Sequence, residues 1–222
     1  MDFAHMIQTI ALYAIPVLLA ITLHEAAHGY AAKHFGDNTA YMLGRVTINP
    51  LPHIDPVGTI LMPLMLYFAT SGAFLFGYAK PVPVRFGNLR NPKRDMVWVA
   101  LAGPGANFFQ ALVWGALLVL FQGIGINEPF LIEMAQGGVL VNIVMCVFNL
   151  FPLPPLDGGR ILVGLLPYRQ AVLVSRVEPY GFFIVMALVL AGVVSNLWLR
   201  PLMALTFQLI NLLLTPLAWV LG

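Results

Sequence analysis

Long uncharged stretches alternate with short polar segments along this chain. Residues 6–23 carry no charged side chain, and similar apolar runs recur down to the last residues. Because about 20 apolar residues in a helix cross a bilayer, the pattern predicts membrane-spanning helices. Five spans are predicted: about 6–33, 97–121, 138–152 continuing into 160–166, 179–198 and 201–220.

A sixth apolar stretch, residues 57–79, is interrupted by Pro63 and by Thr70-Ser71-Gly72. Basic residues accumulate on the cytoplasmic side of membrane proteins. Segment 80–95 is basic, whereas the charged residues of segment 122–136 are all acidic. Lys33 and Arg45 lie at and after the end of the first span. With both flanks of 57–79 cytoplasmic, we expect this stretch to be a re-entrant hairpin; a full crossing is the alternative.

Two short segments have the character of strands. Residues 43–50 are rich in Val, Thr and Ile before a proline turn, and residues 80–86 are proline-rich and extended. We therefore expect a short membrane-associated β-hairpin or sheet, whose edge would pair with a bound peptide.

The composition agrees with a membrane protein. Of the 222 residues, 60% are hydrophobic and 9% charged, and the mean hydropathy is +0.87, whereas soluble domains are about 25% charged. The predicted fold class is an all-α polytopic membrane protein with about five to six transmembrane helices. A single membrane-embedded domain is expected over 1–222, with core motifs at about 20–165 and a C-terminal helical hairpin at about 175–222. The single cysteine, Cys146, excludes an internal disulfide and a CxxC site.

The sequence HEAAH at residues 24–28 places three ionisable groups near the end of the first span. Ionisable residues at membrane depth are rare and are functional by default. His24 and His28 are four residues apart, so they share one face of a helix, where they can bind Zn²⁺. Glu25 between them can act as a base towards a water molecule. The pattern therefore predicts a zinc hydrolase.

A zinc centre of this kind needs a third protein ligand. His34 has the spacing of one known pattern, but Ala31 stands where that pattern needs a glycine. Glu128, the next glutamate, is a hundred residues away and predicted external. The remaining acids near the membrane are Asp55, Asp95 and Asp157. Asp157 precedes two glycines and could simply cap a helix, but the missing third ligand favours a metal role for it.

The chain resembles the site-2 protease family of intramembrane zinc metalloproteases. The resemblance covers about residues 20–165 and rests on HEAAH, GRVTINPLPHIDPVGTI, GYAKPVPV, LAGPGANF and NLFPLPPLDGG in that order. It implies that His24, His28 and Asp157 bind zinc and that Glu25 is the catalytic base. About 15 residues separate the last two core spans, which leaves no room for a PDZ domain and indicates a compact branch of the family.

The resemblance also implies roles for three further residues. Asn149 would hold the substrate backbone or the oxyanion, Asn107 would support the site from a neighbouring helix, and His53 would lie near the site and orient the substrate. A solvated turn at 52–56 is the alternative for His53.

The expected function is hydrolysis of a peptide bond within a transmembrane segment of a protein substrate already trimmed by another protease. We expect a multi-pass protein of a prokaryotic plasma membrane with its active site towards the cytoplasm, and no nucleic-acid partner. Two alternatives belong to other classes: a membrane metal transporter, and a catalytically silent protein that binds membrane helices.

Overall fold

The structure is a computed structural model that describes residues 3–62, 65 and 80–221. Helix α1 spans Phe3–His34 and α2 spans Thr39–Met42; after the extended residues 80–85, α3 spans Pro92–Gly123 and α4 spans Pro129–Asn149. Four more helices follow: α5 at Asp157–Leu165, α6 at Tyr168–Ser175, α7 at Glu178–Leu190 and α8 at Arg200–Leu221. The described chain is thus predominantly helical, as predicted.

Four described helices are long and apolar enough to cross a membrane: Ile7–His34, Pro92–Gly123, Pro129–Asn149 and Ser195–Leu221. Helices α6 and α7 form a pair bent by 67° that would make a fifth span if counted together. These spans identify an integral membrane protein. Most of the predicted re-entrant segment, 57–79, lies outside the described residues, so its path stays a prediction.

The structure corrects three predicted boundaries. Helix α4 begins at Pro129, inside the segment predicted as an external loop, because this proline suits a first helical turn. The predicted continuation into 160–166 is interrupted by turns at 150–156, which contain three prolines. The predicted span 179–198 is divided near Gly192, whose φ of 73° ends a helix, so residues 195–199 join α8.

The predicted strand at 43–50 is absent, because these residues form turns and bends. Gly44 has a φ of 66°, and the side chains of Thr47 and Asn49 each accept a hydrogen bond from a backbone N–H two residues later. Such local bonds compete with strand pairing. Residues 80–85 form neither helix nor turn, and Arg85 at their end has extended backbone angles. No β-strand forms within the described ranges, and the predicted β-hairpin is not confirmed.

Helix α3 is the centre of the bundle and packs against α1, α4, α5 and α8. Its contact with α4 and α8 buries Trp114, Ile143 and Ile210 in one apolar cluster. A Cβ on Gly138 would collide with the indole of Trp114, so the missing side chain lets α3 and α4 approach closely. Small residues at helix contacts have this function in membranes.

Asp37 anchors the loop after α1 to the extended segment. Its carboxylate accepts hydrogen bonds from the backbone N–H groups of Thr39 (3.0 Å) and Arg85 (2.6 Å), and from the side chains of Thr39 (2.5 Å) and Asn88 (3.1 Å). Burial alone would raise the pKa of Asp37, but these hydrogen bonds outweigh it and hold the pKa below its usual range. The charged form therefore stabilises the fold.

We expect Asp37→Asn to lower the free energy of unfolding by about 1–3 kcal/mol. Asp37 accepts hydrogen bonds at both carboxylate oxygens, and in asparagine an NH₂ group replaces one oxygen and faces an N–H donor, which it cannot accept. The depressed pKa adds stability above the unfolded pKa, about 3.9, and this is lost as the pH falls through the lower folded pKa. Thermal unfolding in detergent should show a difference between the proteins at pH 7 that shrinks in acid. The control is Asp55→Asn: among the described residues the Asp55 side chain accepts from the N–H groups of Val57 and Gly58, and asparagine caps a helix equally well. Equal losses in both variants would contradict the assignment.

Candidate functional site

The HEAAH segment lies on α1, and its two imidazoles face the centre of the bundle. His24 is 5% and His28 8% exposed, whereas Glu25 is only partly buried. Successive helical residues point about 100° apart, so the two rings share one face and the carboxylate points elsewhere. His24 is ten residues before the end of α1, about 15 Å along the helix axis.

One nitrogen of each ring is fixed by a partner on α3. The His28 Nδ1 lies 2.7 Å from the backbone oxygen of Val99, and the His24 Nδ1 lies 2.6 Å from the Oδ1 of Asn107. Both partners only accept hydrogen bonds, so each Nδ1 carries the hydrogen and donates it. Each neutral ring then has a bare Nε2, and the two Nε2 atoms are 3.0 Å apart.

Asp157 brings the third donor from the first turn of α5. Its Oδ2 lies 3.3 Å from the Nε2 of His24 and 3.3 Å from the Nε2 of His28. The glycines that follow make this position possible. A Cβ on Gly158 would collide with the carbonyl oxygen of Leu150, and one on Gly159 with the backbone of Leu153 and Pro154.

These three atoms fit a divalent cation. Three lone pairs meet in a buried space, the ligand atoms all lie within 4.8 Å of one another, and Asp157 Oδ2 has no hydrogen-bond donor among the described residues. Bare acceptors at these distances repel one another unless a cation stands between them. Two imidazole nitrogens and one carboxylate oxygen, with room for a fourth ligand, form a zinc site of the catalytic type.

Glu25 points from α1 towards the extended segment. Its Oε2 accepts a 2.6 Å hydrogen bond from the backbone N–H of Val82. Together with the three donor residues it lines a cleft of about 140 Å³, which is also bordered by Asn149, Leu156 and Arg160. The predicted base and the predicted ligands therefore share one small cavity.

The three other predicted site residues differ in where they lie relative to the cleft. Asn107 contacts a candidate ligand directly, and Asn149 lines the cleft, with its Nδ2 donating to the backbone oxygen of Met145 at 2.9 Å. His53 is 1% exposed and is not among the described residues that line the cleft; its backbone oxygen accepts a hydrogen bond from the N–H of Lys80. The catalytic roles of all three stay predictions.

Sequence reasoning missed three contributions to this site. Val99 and Val82 act through backbone atoms, which a sequence pattern does not reveal. Gly103 acts through the side chain that it lacks, because a Cβ there would collide with the rings of both His24 and His28. Only the LAGPGANF motif, with its paired glycines, carries a signal for this position.

We expect Gly103→Ala to abolish stoichiometric zinc binding, because the added methyl group would displace both imidazoles. Gly105→Ala is the matched control, since a Cβ at Gly105 on the same helix meets nothing within 4 Å among the described residues. Metal analysis of both purified variants checks this. Full zinc content in Gly103→Ala would mean that the rings are not held where the structure has them.

Comparison with known proteins gives consistent results. Residues 129–192 match Peptidase family M50. YwhC of Bacillus subtilis, whose name assigns it provisionally to the zinc metalloproteases, is 37% identical over 179 residues, which cover 78% of this chain and 78% of YwhC. Rip2 of Mycolicibacterium smegmatis, with the same provisional name, is 30% identical over 180 residues, covering 81% of this chain and 66% of Rip2.

A more distant relative, the zinc metalloprotease MJ0392 of Methanocaldococcus jannaschii, is 26% identical over 168 residues, covering 74% of this chain and 37% of that protein. No solved structure matches the chain significantly. The likeness to YwhC extends over more than two thirds of both proteins, and the buried His-His-Asp cluster is a donor set able to hold a metal ion. The chain belongs to peptidase family M50, the site-2 protease family of zinc metalloproteases, and zinc is its cofactor.

Proposed function

We propose that this protein is an intramembrane zinc endopeptidase that hydrolyses a peptide bond within a transmembrane segment of a protein substrate. One observation carries the proposal: the His-His-Asp cluster and Glu25 share a single cleft, and three of these four residues lie on α1, a helix long and apolar enough to span a membrane. A hydrolytic centre about 15 Å inside such a helix acts most readily on peptide bonds that are themselves within the membrane.

His24, His28 and Asp157 would hold the zinc ion. Bound zinc polarises the scissile carbonyl and favours deprotonation of a water molecule. Glu25 accepts the proton as the water oxygen attacks the carbonyl carbon, and donates it to the nitrogen as the C–N bond breaks. An amide NH₂ has two hydrogens, so Asn149 can keep its bond to Met145 and donate the second one to the developing oxyanion.

The size of the cleft supports an unwound substrate. A helix with its side chains is about 10–12 Å across, whereas the cleft encloses about 140 Å³, which is too small for a helical turn. The extended residues 80–85 border it and offer a template for an extended peptide. Pro81 and Pro83 have no N–H, and the N–H groups of Lys80, Val82 and Arg85 already donate to His53, Glu25 and Asp37. Within residues 80–85, Val84 therefore carries the N–H that can donate to a substrate backbone.

The distribution of charge supports a cytoplasmic active site. Lys33 lies in the last turn of α1, beyond the HEAAH segment, Arg45 follows that helix, and the basic segment 80–95 leads into α3. Cleavage would then release a fragment into the cytosol. We include in the proposal the family's role in regulated intramembrane proteolysis, with a substrate trimmed first by another protease and a prokaryotic plasma membrane as the setting.

Glu25→Gln should keep its zinc. Its cleavage rate should fall by about 10²–10⁴-fold, because an amide cannot accept the proton. A panel of labelled transmembrane peptides in detergent, analysed by mass spectrometry, measures the cleavage, and metal analysis measures the zinc. Asp157→Asn is the comparison variant and should lose both.

The panel also separates the alternatives. Cleavage within a span by the wild type and not by Glu25→Gln supports the proposal. Equal cleavage by both proteins would remove Glu25 from the mechanism. Zinc transport into vesicles, with no cleavage of any peptide, would favour a transporter instead.

The topology has its own test. Gly87 and Asn127 are exposed residues on opposite sides of α3 along the chain. In intact cells a membrane-impermeant maleimide should label Asn127→Cys and not Gly87→Cys, while both should react in lysed cells. The native Cys146 is buried, so the wild type gives the background. The reverse labelling pattern would place the active site on the external side.

A further inference from the structure

An asparagine in the middle of α4 belongs to the zinc site although it does not touch it. Asn142 is fully buried in a span whose neighbouring side chains are apolar, and its side chain contacts Asn107 on α3. We infer that Asn142 is a positioning residue for the zinc ligand His24, and that it acts through Asn107. This inference rests on the zinc site and needs no particular substrate.

The orientation of each amide along the chain of hydrogen bonds follows from its partners. Asn142 Nδ2 donates to the backbone oxygen of Gly138 at 2.9 Å, so Asn142 Oδ1 is turned towards Asn107. Asn107 Nδ2 then donates to this Oδ1 at 3.0 Å and to the backbone oxygen of Ala20 at 3.1 Å. Asn107 Oδ1 consequently faces His24.

This orientation decides which nitrogen of His24 can bind metal. An oxygen at 2.6 Å from Nδ1 requires the hydrogen on Nδ1 and leaves a lone pair on Nε2. If the Asn107 amide were reversed, an NH₂ group would face Nδ1 and favour the tautomer with the hydrogen on Nε2. That tautomer cannot coordinate through Nε2, so the outer amides protect the ligand form of the ring.

His24 needs this support more than His28 does. The partner of His28 is the backbone oxygen of Val99, which the α3 helix holds in place. The partner of His24 is a side chain that can rotate, so it must be fixed by its own hydrogen bonds. Ala20 on α1 and Asn142 on α4 provide the two fixed acceptors. In a low-dielectric interior these bonds are strong and a mismatched amide is costly.

The same face of α4 serves both the ligand and the cleft. Asn142 and Asn149 are seven residues apart, which is two helical turns, so both lie on the side of α4 towards the site. The close packing of α3 and α4 permits the contact between Asn142 and Asn107: Gly138, one helical turn before Asn142, lies where a Cβ would collide with Trp114. Helix α4 therefore contributes to zinc binding without supplying a ligand.

The test compares Asn142→Leu with Gln110→Leu. Gln110 is the matched control because it is another buried amide, one helical turn from Asn107 on α3, and its Nε2 has no hydrogen-bond partner among the described residues. Zinc affinity of the purified full-length proteins is measured by competition with a chelator. We expect an affinity about 10-fold weaker in Asn142→Leu, the lower end of the effect of outer partners, and no change in Gln110→Leu.

Two further measurements keep the result interpretable. Asn142→Ser retains a small polar side chain that hydrogen-bonds Gly138 but is too short to hold Asn107, so it should also weaken zinc binding. The visible absorption of the Co²⁺-substituted proteins should change in both Asn142 variants and not in the control, because it reports the geometry at the metal.

Wild-type zinc affinity and an unchanged cobalt spectrum in Asn142→Ser would overturn the inference, and so would equal weakening in Gln110→Leu. These outcomes are independent of proteolysis. A protein that fails to cleave any peptide can still show the expected loss of zinc affinity, so failure of the proposed function and failure of this inference are distinguishable.

Discussion

The convergence of three bare acceptors in a buried space is the constraint on which the rest of the structure depends. Two imidazole nitrogens 3.0 Å apart and a carboxylate oxygen 3.3 Å from each repel one another as bare acceptors, and a cation between them removes that repulsion. The protein must therefore keep both rings in the tautomer with a bare Nε2 and bring Asp157 back to them from a distant part of the chain. The arrangement of α1, α3, α4 and α5 meets these two requirements.

Helix α3 meets the first of these requirements, because it fixes the orientation of both imidazole rings. Its Val99 oxygen and Asn107 amide receive the hydrogens of the two rings, and its Gly103 leaves room for the rings to lie against the backbone. A larger residue at 103 would move both imidazoles, whereas a Cβ on the neighbouring Gly105 meets nothing within 4 Å in the described part of the chain. The glycines of this motif therefore differ in function although they look alike in the sequence. Polar bonds that would add little in water gain weight here because the surroundings are apolar.

The sequence predicts which residues form the site better than it predicts how those residues are arranged in space. HEAAH stands out because ionisable residues in apolar spans are costly and usually serve a function. Asp157 is indicated instead by the missing third ligand and by the family resemblance, and the structure brings His24, His28 and Asp157 together. Asn142 also lies in an apolar span, but its partner is 35 residues away, so the contact could not be inferred without the packing of α3 on α4. The strand expected at 43–50 is replaced by turns because local side-chain bonds are not visible in β-propensity. The ends of the membrane spans also differ from the predicted ends by several residues, because prolines and Gly192 begin or end helices through their backbone geometry.

The HEAAH spacing divides α1 into two functional faces. The histidines point to the bundle, and Glu25 points to the extended segment, where the Val82 N–H holds its carboxylate. That segment is fixed three residues later, because the Arg85 N–H donates to Asp37, just beyond the end of α1. The segment is thus anchored twice, by Glu25 on α1 and by Asp37 just beyond the end of that helix. Asp37 lies outside the cleft, yet the N–H that it holds, at Arg85, is only three residues along the chain from the N–H that holds Glu25.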